Sequence, residues 1–170
     1  RPRVLDVDDA IWLTQKYHGI EKLAREVDAV FAGNDYLAEW FARECRDVVV
    51  IPTAVDTSRF VPRPSRDSDR VVIGWSGTAA NLASLEPVWP ALETVALRHP
   101  EVRIRIVCDK RPQTPGSISD RIDFVPWHPS VEVRSIQEMD IGIMPMPASP
   151  WSLGKCSYKM LLYLACGVPA

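Results

Sequence analysis

The sequence predicts an α/β protein made of two sequential parallel-sheet units. Three observations predict it. Short apolar runs alternate with amphipathic stretches through residues 1–60, the alternation breaks over 61–70, and it restarts at residue 71. At 170 residues the chain is one domain or parts of two, and it can bury a core of useful size.

Val4 to Val7 is a strand ending among the acids Asp6, Asp8 and Asp9, and Ile20 to Val27 has helical spacing. Asp28 to Ala32 is strand-like. Asn34 then stands as an N-cap for a helix that buries Leu37, Phe41 and Cys45. Val48 to Ile51 is a wholly apolar run stopped by Pro52. The stretch VPRPSRDSDR, residues 61–70, carries two prolines, two serines and five charges without periodicity, which marks a linker. Val71 to Ile73 restarts the strands. A helix over Asn81 to Arg98 holds Pro87 and Pro90, which kink or split it. Arg103 to Cys108 and Ile122 to Val125 are strands, Val131 to Gln137 is a short helix, and Asp140 to Met144 is the next strand. Pro145 to Trp151 is too rich in proline for a helix or a central strand. Lys155 to Cys166 closes as a helix, ended by Gly167 with Pro169 beyond. The first domain is therefore expected at 1–60, the linker at 61–70 and the second domain at 71–170.

Composition excludes several classes. The charge balance is 20 Lys+Arg against 22 Asp+Glu, so nothing global points to nucleic acid or to an acidic membrane surface. No apolar run reaches the length of a membrane span. Cys45, Cys108, Cys156 and Cys166 lack metal-ligand spacing and read as reduced, mostly buried thiols of a cytosolic protein. Asp6, Asp8 and Asp9 read as capping and turn residues rather than a metal site. The chain lacks an initiator Met and stops just after a Gly-Val-Pro, so a fragment of a longer protein is expected.

Ligands of open parallel sheets bind at the carboxyl ends of strands, where helix N-termini present amides. Three places fit. Gly74-Trp75-Ser76-Gly77-Thr78 follows a strand and opens a helix, so its small residues let a phosphate approach the backbone; a tight strand-to-helix turn is the alternative. Gly154-Lys155-Cys156-Ser157-Tyr158-Lys159 opens the last helix with two lysines at i, i+4 on one face. Cations at a helix N-terminus oppose its dipole by about 0.3–1 kcal/mol each. No carboxylate follows Asp140, so a diphosphate is the natural counter-charge, with solvated lysines as the alternative. Val125-Pro126-Trp127 is a strand end whose indole stacks either on a planar base or on the protein itself.

Gly74-Trp75-Ser76-Gly77, the run from Asp140 to Pro145, Gly154 to Lys159 and Leu164-Ala165-Cys166-Gly167-Val168-Pro169, in that order, resemble the nucleotide-sugar-binding domain of group 1 retaining glycosyltransferases of the GT-B fold. Asp28 to Leu37 and Ile51 to Asp56 resemble the end of that family's acceptor domain. The resemblance covers nearly the whole chain and implies two Rossmann-like domains, here incomplete at both ends. It implies a nucleotide sugar bound without a metal or other cofactor, a glycan, lipid-linked or small acceptor, and transfer with retention in glycan biosynthesis. It implies no nucleic-acid partner and a cytoplasmic location, with the inner membrane face as an open alternative for the full-length protein. The diphosphate would meet Ser76, Gly77 and Thr78 and the stretch from Lys155 to Tyr158, and the base would lie near Val125, Pro126 and Trp127. No catalytic residue is assigned.

Two departures stand out. The family's pair of glutamates, eight positions apart, falls on Gly154 and Leu162, and Leu162 accepts no hydrogen bond from a ribose. Losing a charged one costs about 1.5–3 kcal/mol, roughly ten- to a hundredfold in affinity. The family's basic pair after the first strand is also missing, since residues 75–80 hold no cation. Alone, the chain is expected not to catalyse transfer. The competing expectation is a non-catalytic module of the same fold acting as a partner subunit or scaffold. A sugar-nucleotide epimerase shares the fold, but no residue here favours it.

Overall fold

The apolar runs become parallel strands, and the stretches between them pack on the sheet faces. The computed structural model describes residues 1–14, 19–63 and 68–170. The chain divides into two compact units, Arg1–Ala54 with Pro147–Ser157, and Val55–Met146 with Tyr158–Ala170. This division differs from the expected one in two respects. Val55 and Phe60 pack against the core of the second unit, so the boundary falls before the 61–70 stretch, of which 64–67 lie outside the described residues. Trp151 and Cys156 pack against Ala10, Ala32 and Leu37, which makes Pro147–Ser157 part of the first unit.

The first unit holds β1 (Val4–Val7), β2 (Ala29–Ala32) and β3 (Val48–Val50), all parallel in the order β1-β2-β3. The register pairs Val4 with Ala29 and Val30 with Val48. Helix α1 (Ile20–Glu26) buries Ile20 and Ala24, and α2 (Asp35–Phe41) buries Leu37 and Phe41. Asn34 caps α2 as its residue type predicts, its side chain accepting from the Leu37 amide at 2.9 Å. The indoles of Trp12 and Trp40 stack at 4.3 Å. β3 is an edge strand and its apolar run is largely exposed.

The second unit holds β4 (Val71–Ser76), β5 (Val102–Cys108), β6 (Ile122–Pro126) and β7 (Ile141–Gly142), parallel in the order β6-β5-β4-β7. Between β4 and β5 the expected single helix is split at its prolines. Ala79–Val88 is 3-10 helix, and α3 (Trp89–Arg98) starts with Pro90 in its first turn, where no amide is needed. A second 3-10 turn, Gly116–Arg121, leads into β6, and α4 (Pro129–Gln137) follows it. One face of the sheet buries Trp75, Leu85, Leu92, Ile104, Ile106 and Ile118; the other buries Val72, Val107, Ile136, Leu162, Tyr163 and Cys166. Both faces are therefore covered, as a parallel sheet requires.

Two expectations about the tail are corrected. Pro145–Trp151 is not free of helix, because Ser149 caps a one-turn helix α5 (Pro150–Leu153) in which Pro150 takes the first position. The last helix, α6 (Tyr158–Ala165), is shorter than 155–166 because Ser157 is left-handed at φ +54°. Lys155 thus precedes the helix, and the two lysines do not share a helical face. Gly167 ends α6 with φ +75°, as a glycine there predicts. Among the described residues no helix is long and apolar enough to cross a membrane.

Candidate functional site

The carboxyl ends of β4, β5 and β6 carry most of the expected site. β4 ends at Ser76, whose amide donates to the Tyr163 hydroxyl at 2.9 Å. The Gly77 amide turns across to the Val107 carbonyl at 3.0 Å. The Ala79 amide, at the start of the 3-10 segment, donates to the Asp109 carboxylate at 2.6 Å. That bond, with the Cys108 thiol as a second donor, holds the Asp109 carboxyl below the usual carboxylate range. Three loop amides are therefore engaged within the protein, and Ser76 is itself buried. Thr78 remains exposed, its hydroxyl accepting from the Asn81 side chain at 3.1 Å.

Lys159 sits in the first turn of α6, with its ammonium 4.6 Å from the centre of the Trp75 ring. A Cβ on Gly77 would lie 2.6 Å from the Trp75 ring and 2.8 Å from Lys159 Nζ. Only glycine leaves room there. Gly74 is equally constrained, since a side chain would strike Met139. The Trp75 indole N–H is buried without an acceptor among the described residues. The fold thus brings Gly74, Ser76, Gly77, Thr78 and Lys159 together at the end of β4, while Tyr158 opens α6 as an exposed residue.

Two strands away, Val125 and Pro126 close β6. The Trp127 amide donates to the Cys108 carbonyl at 2.9 Å and its indole N–H to Glu132 at 3.0 Å. Glu132 is held in turn by Arg59 at 2.8 Å. Trp127 is 41% exposed, so it is an anchored ring with an open surface rather than a core residue. His128 caps α4, accepting from the Ser130 amide.

The remaining expected residues belong to the first unit. Lys155 is not solvated alone. Its ammonium pairs with Asp9 at 2.8 Å and lies 4.7 Å from the centre of the Trp151 ring. The Asn34 amide group donates to the carbonyls of Leu153 and Lys155 at 3.2 and 3.4 Å. Gly154 abuts Ala10, and the Cys156 thiol donates to the Asp8 carbonyl at 3.3 Å, with burial pushing that thiol upward. Asp9 therefore supplies the counter-charge that the last thirty residues lack.

Sequence reasoning missed Asp109, Arg111 and Tyr163. Arg111 lies over the Phe124 ring at 4.9 Å, beyond the end of β5. An acid and two cations directly after a buried strand, Asp109-Lys110-Arg111, were a signal for the first two. Leu162 is buried in the core among Val72, Val107 and Ile136, so the position that the resemblance gives to a ribose-binding glutamate is a packing position here. Among the described residues no cluster of three or more His, Cys, Asp or Glu could hold a metal.

No family model matches the chain, and no curated protein matches it. Solved structures do. The Gap123 glycosylation-associated protein complex of Streptococcus agalactiae superposes with TM-score 0.59 at 13% identity, over 98% of this chain and 36% of that one. A TarM mutant of S. aureus, in complex with fondaparinux, α-GlcNAc-glycerol and UDP, gives 0.58 at 10% identity over 82% and 30%. The lipopolysaccharide outer core galactosyltransferase WaaB gives 0.54 at 13% identity over 91% and 45%. The chain spans less than half of each of these chains. It shares with them the α/β fold of two parallel-sheet units seen in GT-B glycosyltransferases.

Proposed function

We propose that the chain is part of a group 1, retaining glycosyltransferase of the GT-B fold and that its second unit binds a nucleoside diphosphate sugar at the carboxyl ends of β4 and β6. The observation that carries this is the Lys159 ammonium, which lies over the Trp75 ring and beside Gly77 at the end of β4. In this reading the Lys159 ammonium and the Thr78 hydroxyl meet the diphosphate, and Gly77 lets it approach the backbone. Trp127 offers its open face to the base. The ammonium offsets charge that builds on the diphosphate as the glycosidic bond breaks. Binding needs no metal, the acceptor is a glycan, a lipid-linked sugar or a small molecule, and the full-length protein works in the cytoplasm or at the inner membrane face.

The test is titration of the chain with UDP, GDP and ADP, followed by thermal shift. Saturable stabilisation by one of them is expected, with the affinity of Lys159→Ala reduced about tenfold, the loss of one charge-assisted contact. No stabilisation of a folded sample by any of the three would sink the donor site. An unchanged affinity in Lys159→Ala would sink the role of that lysine.

The second reading is an accessory module that does not transfer sugar. Three observations favour it: the amides of Ser76, Gly77 and Ala79 are engaged internally, Asp109 brings a negative charge to that loop, and Leu162 lies in the core. The likeness to a glycosylation-associated complex points the same way. Failure of all three nucleotides to bind would select this reading.

A further inference from the structure

A second concavity lies at the opposite edge of the same sheet, where β4, β5 and β6 begin. It encloses about 650 Å³ and is lined by Arg70, Arg103, Arg105, Arg121, Asp120 and Asp123, together with smaller neighbours.

The arginines are not equivalent. Arg105 is neutralised: Asp123 binds it at 2.6 Å and Glu138 at 2.8 Å. Among the described residues Arg103 has no carboxylate partner. Its Nη1 donates to the carbonyls of Pro100 and Val102, both at 3.1 Å, and its Nε and Nη2 have no acceptor among the described residues. Arg121 uses Nη1 on the same Pro100 carbonyl at 2.6 Å, and among the described residues its one carboxylate partner is the exposed Asp120, at 3.3 Å. One carbonyl oxygen therefore anchors two guanidinium groups at the wall of a cavity. Like charges fixed this close repel unless an anion lies between them. The unused Nε and Nη2 of Arg103 form the planar fork that binds phosphate with two parallel hydrogen bonds, and Arg121, with Nε on Asp120 and Nη1 on Pro100, adds Nη2. The volume suits a small molecule.

We propose that Arg103 and Arg121 clasp a phosphate or diphosphate group in this concavity, at a site separate from the one at the end of β4. The group comes either from a soluble phosphorylated ligand or from the headgroup of a lipid. The site does not depend on nucleotide-sugar binding, and it stands or falls separately.

The experiment is titration of the 170-residue chain with inorganic pyrophosphate, read by amide chemical shifts in two-dimensional NMR. Saturable shifts are expected at Arg103, Arg121 and Ile122. The affinity read from the Arg103, Arg121 and Ile122 shifts should fall at least tenfold in Arg103→Gln/Arg121→Gln, about the loss of one charge-assisted contact. Arg103→Lys keeps the charge without the fork and should give an intermediate loss. Shifts confined to Gly77, Thr78 and Lys159 would overturn the proposal, and so would the absence of saturable shifts in the wild-type chain. Co-sedimentation with phosphatidate vesicles separates the sources. Vesicle binding that the double variant loses points to a headgroup, and pyrophosphate binding without vesicle binding points to a soluble ligand.

Discussion

Tyr163 shows how one residue can hold a site it does not line. Its ring is fully buried, and its hydroxyl accepts from the Ser76 amide at 2.9 Å and donates to the Ile143 carbonyl at 3.4 Å. It fixes the end of β4 from the side of α6. Tyr163→Phe should cost about 1–3 kcal/mol, because it leaves the Ser76 amide without a partner in a closed site; urea denaturation measures it. Leu162, its neighbour, separates two expectations. If the position bound ribose, Leu162→Glu would restore nucleotide affinity. Its burial against Val72 and Ile136 says otherwise. An unpaired carboxylate there should destabilise the chain by about 3 kcal/mol or more without raising affinity for any nucleoside diphosphate. Denaturation and nucleotide titration of that variant check both halves. Neither residue was legible in this role from the sequence. Ser76 lies 87 positions from Tyr163, and an apolar helix face looks the same whichever of its residues reaches a strand end.

At the scale of elements, local chemistry was legible and long-range pairing was not. The Asn34 cap, the prolines that split 79–98 and the glycine that ends α6 each follow from what one residue type can do with its own backbone. The start of α6 differs from the expected one because lysines at i, i+4 suit a helix, while Ser157 gives no sign in the sequence of being left-handed. The counter-charge of Lys155 was hidden for a similar reason, since Asp9 lies 146 positions away. Ser157 at φ +54° is strained in a way glycine would not be. Ser157→Gly should therefore stabilise the chain by about 0.5–1 kcal/mol, the relief of strain less the extra unfolded-chain entropy of glycine. A higher midpoint in chemical denaturation at an unchanged slope is the expected result. A lower midpoint would mean that the serine side chain contributes more than its strained backbone costs.

For the whole molecule, the core beneath α6 sets the response to alkali. Burial pushes Tyr163 from 10.0 up to about 12, only partly opposed by the Ser76 amide. Burial, with Glu132 adding to it, pushes Cys166 from 9.0 up to about 11. Both groups are neutral when protonated, so the folded state keeps protons that the unfolded state releases. Stability contributed this way is complete below the unfolded values and is lost as pH rises, from about 9 to 11 for Cys166 and from about 10 to 12 for Tyr163. Each loss amounts to about 2–3 kcal/mol, a large part of the stability of an ordinary domain. Burial also raises Cys108 and Cys156, which act in the same direction. Urea midpoints should therefore hold steady up to about pH 9 and fall steeply above it. Cys166→Ala should flatten the first part of that fall, and Tyr163→Phe should flatten the second while lowering the plateau. A midpoint that stays level through pH 11 in the wild-type chain would show that these side chains reach water in the folded state, and the packing of α6 on β4 and β7 would have to be redrawn.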